Sequence, residues 1–527
     1  MLDYTPTPGS PDWWLLRLGK KLQAEIRRFD LLDLYWRGTP PVPHGNRKMR
    51  EAYRRHQKMS RTNFGLLLAE TVLERMKIVG FRAGGDATDE ADKDAWEWWQ
   101  DNNLDADAGL VHRAAVVMSR AYVIVGRNDE GDPLITPEDP RQVIHEAAPE
   151  NRRDVRAALK TWWDDVEDAQ LAVLYLPEAI FYYRTVPGRS KEASTELWAA
   201  QVWQVDESEF PGGVASNDMQ AVPVVPFVNR PDMSGGGLGE FEDVIDILDR
   251  INSTILDRMV ISAMQAYRQR WATGVDLTDE KGQPADDFDP GADLLWNVPN
   301  PDAKFGSFEI TDVTPVIKAV ESDVQYLAAI TRTPPSYLLA GIVNVSGNAL
   351  ALTETGLVSK IEEREQEFGN SWETVYKLVG DMIGTKVASD CEVIWRDPQF
   401  RSSLEMSAAA VQQMTAGVPW RTRMRGLGMT PGEVERMEAE RVHDAMLSSI
   451  LAPLSVAEGG LISTNRGVTY TETNVLPGAA GSASPAPSPD VVTEPASGSP
   501  AKAGPAAGQQ STKPVRKTSA KNVGPKK

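Results

Sequence analysis

Residues 241–271 contain neither glycine nor proline and repeat apolar side chains at helical spacing, with Phe241, Val244/Ile245, Leu248, Ile251, Ile255, Met259, Ser262/Ala263 and Tyr267 on one stripe. A helix over this run spans on the order of 45 Å. That is longer than a typical globular helix. Helices that pack only on neighbouring copies of a chain also break the usual arithmetic of about 150 residues per domain, so the domain count of a 527-residue chain stays open here.

What flanks the run repeats the theme. Gly235-Gly236-Gly237-Leu238-Gly239 reads as a hinge before it, and residues 276–293, rich in Asp, Gly and Pro, read as a loop after it. Short strands are expected at 294–298 and 305–309, then a second helix over 313–331 that ends at Pro334-Pro335. Residues 341–348 read as a mobile linker. Another long helix follows, with Leu357, Ile361, Phe368, Trp372, Val375/Tyr376, Val379 and Ile383 on its apolar stripe. Two long helices thus flank an excursion.

Upstream, helical spacing predicts helices over 13–36, from Ser60 to just before Gly80, over 89–102 and over 108–119. The period then changes to two. A strand at 121–125 runs into the turn Asn128-Asp129-Glu130-Gly131-Asp132, and further strands are expected at 142–146, 155–163, 171–176, 180–185 and 198–205. The fold class is therefore α+β, an antiparallel sheet flanked by helices. Downstream lie a short strand at 392–395 and helices at 404–416, 419–427 and 431–446. From Gly478 the composition of Ala, Gly, Ser and Pro, with Lys513, Arg516, Lys517, Lys521, Lys526 and Lys527, predicts a disordered tail.

Composition narrows the function classes. With 41% hydrophobic and 25% charged residues the chain has material for a buried core. A net charge of -19 argues against a wide basic surface gripping DNA phosphates, so any DNA contact should be loose. The single cysteine, Cys391, cannot close an intramolecular disulfide and points to an intracellular origin. The start lacks the basic-then-apolar pattern of a signal peptide, and no stretch of about 18 residues is uniformly apolar, so neither secretion by that route nor a membrane span is expected.

Catalytic signatures fail on a residue each mechanism needs. Gly380-Asp381-Met382-Ile383-Gly384-Thr385-Lys386 has the wrong spacing for a phosphate loop, and Gly426-Leu427-Gly428-Met429-Thr430-Pro431-Gly432 misses the dinucleotide spacing. His145-Glu146 lacks the second histidine of a zinc-protease helix. Asp286, Asp287, Asp289 and Asp293 would hold Mg²⁺ or Ca²⁺ only if their loop folded around the ion; they lack the glycine and terminal glutamate of a calcium loop and read as a solvated acidic turn. No cofactor and no metal is expected. His44, His56, His112, His145 and His443 are dispersed and read as structural or surface residues. The tryptophan doublets Trp13-Trp14, Trp98-Trp99 and Trp162-Trp163 read as packing and subunit-contact residues rather than base-stacking platforms.

A series of short motifs in fixed order carries a resemblance. It runs through Tyr35-Trp36-Arg37-Gly38 with Pro40-Pro41, Asn63 to Arg75 with Val79-Gly80-Phe81, Trp98-Trp99-Gln100-Asp101-Asn102-Asn103-Leu104-Asp105 and Ser119-Arg120-Ala121-Tyr122-Val123-Ile124-Val125. Pro137-Glu138-Asp139-Pro140, Leu174-Tyr175-Leu176-Pro177, Thr331-Arg332-Thr333-Pro334-Pro335 and Ser346-Gly347-Asn348-Ala349-Leu350 continue it. Over most of residues 13–450 the chain resembles the tailed-phage portal family, in the group whose prototype infects Gram-positive hosts and whose relatives are common in actinobacterial phages.

That resemblance implies a portal fold with an α/β wing (1–238), a first stem helix (239–271), a small clip with short strands (272–312), a second stem helix (313–334), a tunnel loop (335–348), a long helix returning to the wing (349–400), a helical crown (401–452) and a mostly disordered tail (453–527). It implies a homo-oligomeric ring, usually a dodecamer, at the portal vertex of the virion and assembled in the host cytoplasm. Double-stranded DNA would pass through it in packaging and ejection. The terminase large subunit and later head-completion or adaptor proteins would dock on it, with major capsid and scaffold proteins around it and no membrane. No enzyme activity is expected, since packaging needs an ATP-driven motor and this chain has no phosphate loop. Candidate DNA-facing residues are Asn344, Val345, Ser346, Gly347 and Asn348 in the tunnel loop, and Asp243, Asp246, Asp249 and Asp257 on the stem, where acid would keep DNA sliding. The clip carries Asp286, Asp287, Asp289 and Asp293. The rivals are another phage head structural or adaptor protein and a metal-dependent nuclease using Asp286, Asp287 and Asp289.

Overall fold

The computed structural model describes residues 6–42, 51–82, 89–186, 197–266, 270–274, 302, 304–307, 309, 311–339, 347–385, 387, 391–399, 403–427, 429 and 431–455. The chain divides into two units, Met1–Pro453 and Leu454–Lys527. Of the tail expected to be mostly disordered, residues 453–455 end a helix and 456–527 lie outside the described residues.

Helix α1, Pro11–Trp36, starts where the Ser10 hydroxyl accepts from the Trp13 amide at 3.3 Å and Pro11 supplies the fixed φ of a first turn. Its apolar stripe is split between two cores. Trp14, Leu15, Leu18 and Leu22 pack with Ile144, Leu159, Leu174 and Trp203. Phe29, Leu32 and Tyr35 enter a larger core built on Trp99, Val116, Phe227, Phe368 and Trp372.

Helices α2 (Glu51–Met59) and α3 (Phe64–Leu73) follow, then strand β1 (Ile78–Arg82) and helices α4 (Asp89–Asp101) and α5 (Leu104–Met118). The helix expected up to Gly80 stops at Leu73, because Val79, Gly80 and Phe81 belong to a strand. Helix α5 ends at Ser119, whose φ of 70° is left-handed, a conformation that turns the chain sharply into the next strand.

Strands β2 (Arg120–Arg127) and β3 (Pro133–Glu138) form a hairpin, and β10 (Val224–Val228) joins the free side of β2 to give a three-stranded antiparallel sheet. A second antiparallel sheet runs β4 (Val143–Ala147), β5 (Val155–Asp164), β6 (Ala169–Tyr175), β7 (Ala179–Thr185), β8 (Trp203–Val205), with β9 (Val214–Ser216) also on β7. Only the end of the strand expected at 198–205 is extended; Ala200–Val202 is a 3-10 turn. Mixed helix and antiparallel sheet agree with the α+β reading.

Helix α6 (Ile245–Ala266) is entered through a 3-10 turn, Glu242–Val244. It ends earlier than its apolar stripe suggests, since Arg270 and Trp271 belong to strand β11 (Arg270–Thr273), paired antiparallel with β12 (Lys304–Ser307). Helices α7 (Thr314–Ile330) and α8 (Pro335–Leu338) precede the longest helix, α9 (Gly347–Ile383). Strand β13 (Glu392–Trp395) returns to pair with β1, and α10 (Ser403–Thr415), α11 (Trp420–Gly426) and α12 (Pro431–Ser455) follow.

The segment read as a hinge is a packed joint. A Cβ on Gly237 would lie 2.8 Å from the Ser119 carbonyl oxygen and 2.9 Å from that of Asn229, and one on Gly239 would lie 2.7 Å from that of Val117. The glycines are there for close backbone approach, not for freedom. The Leu238 amide donates to the Asn229 carbonyl at 3.0 Å and the Glu240 amide to that of Val116 at 2.8 Å, which fixes the strand-to-helix passage against the end of α5.

Candidate functional site

The long apolar run that opened the sequence becomes one arm of an antiparallel helix pair. Arg250 on α6 meets Asp323 on α7 through two guanidinium nitrogens at 3.0 and 2.9 Å. Further out, Gln265 Nε2 donates to the Thr311 carbonyl at 2.8 Å, and β11 with β12 closes the outer end. Higher numbers on α6 meet lower numbers towards α7, so the arms run in opposite directions. A groove of about 450 Å³ lies between them, lined by Thr254, Asp257, Val260, Ile261, Pro315, Val316 and Ala319.

The inner end of the pair is held by buried charge. Glu240, just before α6, faces Lys360 and Arg364 on α9: Lys360 Nζ lies 3.1 Å from Glu240 Oε1 and Arg364 Nε 3.4 Å from Oε2. Lys360 Nζ also donates to the carbonyl of Thr331, the residue that caps α7, at 2.9 Å. Glu240, Lys360 and Arg364 are 4%, 1% and 2% exposed, so three helices meet at a desolvated ion cluster. Burial holds the Lys360 ammonium below its usual range, opposed by Glu240. Arg364 Nη1 lies 3.4 Å from Glu363 without making a hydrogen bond. From outside, Arg28 on α1 grips Glu242 with Nε at 2.5 Å and Nη2 at 2.7 Å and donates to the Gly237 carbonyl at 2.6 Å.

Sequence reasoning missed this anchor, though a signal was present. Arg364 falls directly on the stripe Leu357, Ile361, Phe368, Trp372, where a cation must find a buried partner. Next to Arg364 on α9, Glu365 is buried with Oε1 unpartnered, and burial, with Glu362 and Asp397 nearby, pushes its carboxyl up to about 8.

Of the expected stem acids, Asp246 and Asp257 are exposed and, three turns apart, lie within about 20° of one another around α6. Asp243 is exposed too, but pairs with Arg230 at 2.8 Å. Asp249 is turned towards the body, where it accepts from the Tyr35 hydroxyl at 2.6 Å; burial first, then that bond, raises the phenol's pKa. Asp246 and Asp257 therefore share an exposed sector of α6, Asp243 is tied to Arg230 in the turn before it, and Asp249 is structural.

Gly347 and Asn348, expected in a loop, are the first residues of α9, while Asn344, Val345 and Ser346 lie outside the described residues, as do Asp286, Asp287, Asp289 and Asp293. Among the described residues no group of three or more His, Cys, Asp or Glu is placed to hold a metal, and no helix is long and apolar enough to cross a membrane. His112 is buried and accepts from Trp372 Nε1 at 2.9 Å; His145 is buried against the Tyr122 hydroxyl at 3.1 Å. Burial lowers both imidazoles to about 3, which keeps them neutral.

The short motifs prove to be fasteners. Asp105 accepts from Trp99 Nε1 at 2.8 Å and from Gln100 Nε2 at 2.7 Å, closing the α4–α5 corner. Arg332, at a left-handed φ of 52°, ends α7 so that Thr331 offers its carbonyl to Lys360.

Residues 20–445 match the family described as "Phage portal protein, SPP1 Gp6-like". Two relatives are each named "Portal protein". That of Mycobacterium phage D29 is 27% identical over 402 residues, 72% of this chain and 78% of the relative. That of Mycobacterium phage L5 is 27% identical over 377 residues, 68% of this chain and 73% of the relative.

Proposed function

This chain belongs to the SPP1 Gp6-like phage portal protein family, and on that premise we propose that its helix pair is the stem of a ring-shaped channel for double-stranded DNA. The observation that carries the reading is the pair itself: α6 and α7 leave the body side by side, are clamped at the body by Glu240, Lys360, Arg364 and Arg28, and are bridged at the far end by β11 and β12. A symmetric ring of identical subunits surrounds an axis with such arms and repeats each charge once per subunit. In this reading residues 1–238 are the wing, 239–271 and 313–334 the stem, 272–312 the clip, 335–348 the tunnel loop, 349–400 the long helix returning to the wing and 401–452 the crown.

Asp246 and Asp257 are the stem acids left exposed for DNA or for a neighbouring subunit; a carboxylate that faces the lumen would repel phosphate and keep the duplex from sticking. Asn344, Val345 and Ser346 would line the constriction, with Gly347 starting the helix that carries it. The chain acts in the portal vertex of the virion, as a subunit assembled in the host cytoplasm among capsid and scaffold proteins. Terminase docks at the clip during packaging and head-completion proteins replace it, the chain itself contributing structure rather than catalysis.

Electron microscopy of the purified full chain tests the ring. Closed rings with an axial hole, usually of twelve subunits in this family, are expected; a monodisperse monomer at micromolar concentration would remove the proposal. Shortening 344–348 should leave rings intact and block head filling, and unchanged filling would count against the tunnel-loop assignment.

A further inference from the structure

The chain carries a net charge of -19, yet residues 47–61 hold seven Lys and Arg against the single acid Glu51. Within this stretch Arg54, Arg55 and Lys58 on α2 are exposed and make no hydrogen bond or ion pair with the described residues. The patch is not on a loose arm. At the α2–α3 corner the Thr62 amide and hydroxyl both donate to Asn252 Oδ1, at 2.9 and 2.8 Å, which seats α2 beside the middle of α6.

Asn252 falls between Asp246 and Asp257, about 9 Å along the axis from one and about 7.5 Å from the other. Those two carboxylates point into the exposed sector of α6, turned about 120–140° away from Asn252. Arg250, in the same sector, is already neutralised by both oxygens of Asp323. One helix therefore carries a basic flank and an acidic flank at the same height, facing different directions.

We infer that in the assembled ring the Arg54, Arg55, Lys58 flank of one copy docks on the Asp246, Asp257 sector of the next. Two unlike patches on different sides of a subunit give a head-to-tail contact, and such contacts close into rings when the rotation between copies closes. The inference rests on the ring reading above and names the contact that would set it. A second copy is the occupant because this chain itself supplies the opposite charge at matching height. Nucleic acid, the other polyanion a cationic patch fits, is left as an outcome of the test.

The test uses the full chain, with ring content measured by native mass spectrometry and electron microscopy. R54E/R55E/K58E and, separately, D246K/D257K should each raise the concentration for half-assembly at least about tenfold, as expected for several exposed ion pairs lost per interface and replaced by repulsion. An equimolar mixture of the two variants should recover rings, since alternating copies restore opposite charges at every contact; this also shows that both variants fold. Wild-type rings should weaken between 50 and 500 mM salt. Rings from R54E/R55E/K58E at wild-type concentration overturn the inference while leaving the ring reading standing. If such rings also fail to retain duplex DNA, the patch serves nucleic acid instead. A wild type that forms no ring removes both readings.

Discussion

Replacing Glu240 by Gln removes the one anion that two buried cations share, while preserving shape and one acceptor oxygen. Lys360 keeps the Thr331 carbonyl at 2.9 Å and Arg364 keeps Glu363 at 3.4 Å. Breaking a buried pair by removing one partner costs about 3–5 kcal/mol. With those two residual contacts the lower end, about 3 kcal/mol, is expected, which is more than a hundredfold in a local opening equilibrium. The loss also depends on pH. Lys360 already has a folded pKa below its unfolded value, so it disfavours the fold while charged and relaxes as pH rises through the folded value towards the unfolded one. Without Glu240 that folded value drops further, so the deficit of the Gln variant should be full around neutral pH, where the wild-type carboxylate and the lysine are both charged, and shrink as pH rises. Hydrogen exchange reads this directly, because the Glu240 amide donates to the Val116 carbonyl across the joint. Protection of that amide should fall about a hundredfold near neutral pH and partly return at higher pH. Protection unchanged within about threefold at all pH values would refute the reasoning, since it would mean that the cluster is hydrated and its charges already screened.

Four further outcomes follow from the geometry. Gly239→Ala places a methyl 2.7 Å from the Val117 carbonyl oxygen and should destabilise by about 1–3 kcal/mol in thermal or denaturant unfolding. Glu365→Gln should stabilise the chain above neutral pH and not in acid: the folded carboxyl titrates near 8, above its unfolded value, so the wild type loses stability as pH rises through that window and the Gln variant does not. His112→Phe should flatten the acid limb of stability, because a buried imidazole at about 3 costs stability progressively as pH falls below its unfolded value of about 6.5. Tyr35→Phe should cost about 1.5–3 kcal/mol for a hydrogen bond to a carboxylate, and in ultraviolet titration the variant should lose one phenol from the group that ionises above the ordinary tyrosine range, which burial also places Tyr122, Tyr175 and Tyr376 in.

The elements legible in the sequence were those whose side chains declare a period. Helices α1, α7 and α9 and the β4–β7 meander follow from stripes and alternation because each buries one face within its own stretch. Boundaries failed where a neighbour overrode the stripe. Tyr267 and Trp271 continue the spacing of α6, but pairing of Arg270–Thr273 with Lys304–Ser307 turns that end into a strand. The Gly-rich passage 235–239 has the composition of a hinge, and only the positions of the Ser119, Val117 and Asn229 carbonyls show that Gly237 and Gly239 are there for contact. The anchor was hidden for a related reason: Glu240 and Lys360 are 120 residues apart, and nothing local on Glu240 marks it as buried. The acids on α6 could be named but not sorted, since Asp249 differs from Asp246 only in having Tyr35 opposite it.

Strand β1 has its partner β13 more than three hundred residues downstream, Arg82 meeting Glu392 at the end of their shared register. At a synthesis rate of roughly 5–20 residues per second, β1 would emerge roughly 15–60 s before the segment that completes it. Through that interval Ile78, Val79 and Phe81 wait on an open edge, the kind that recruits other chains. A chain halted before residue 392 would leave that edge open and would also lack Val393 and Trp395, which pack against the larger core.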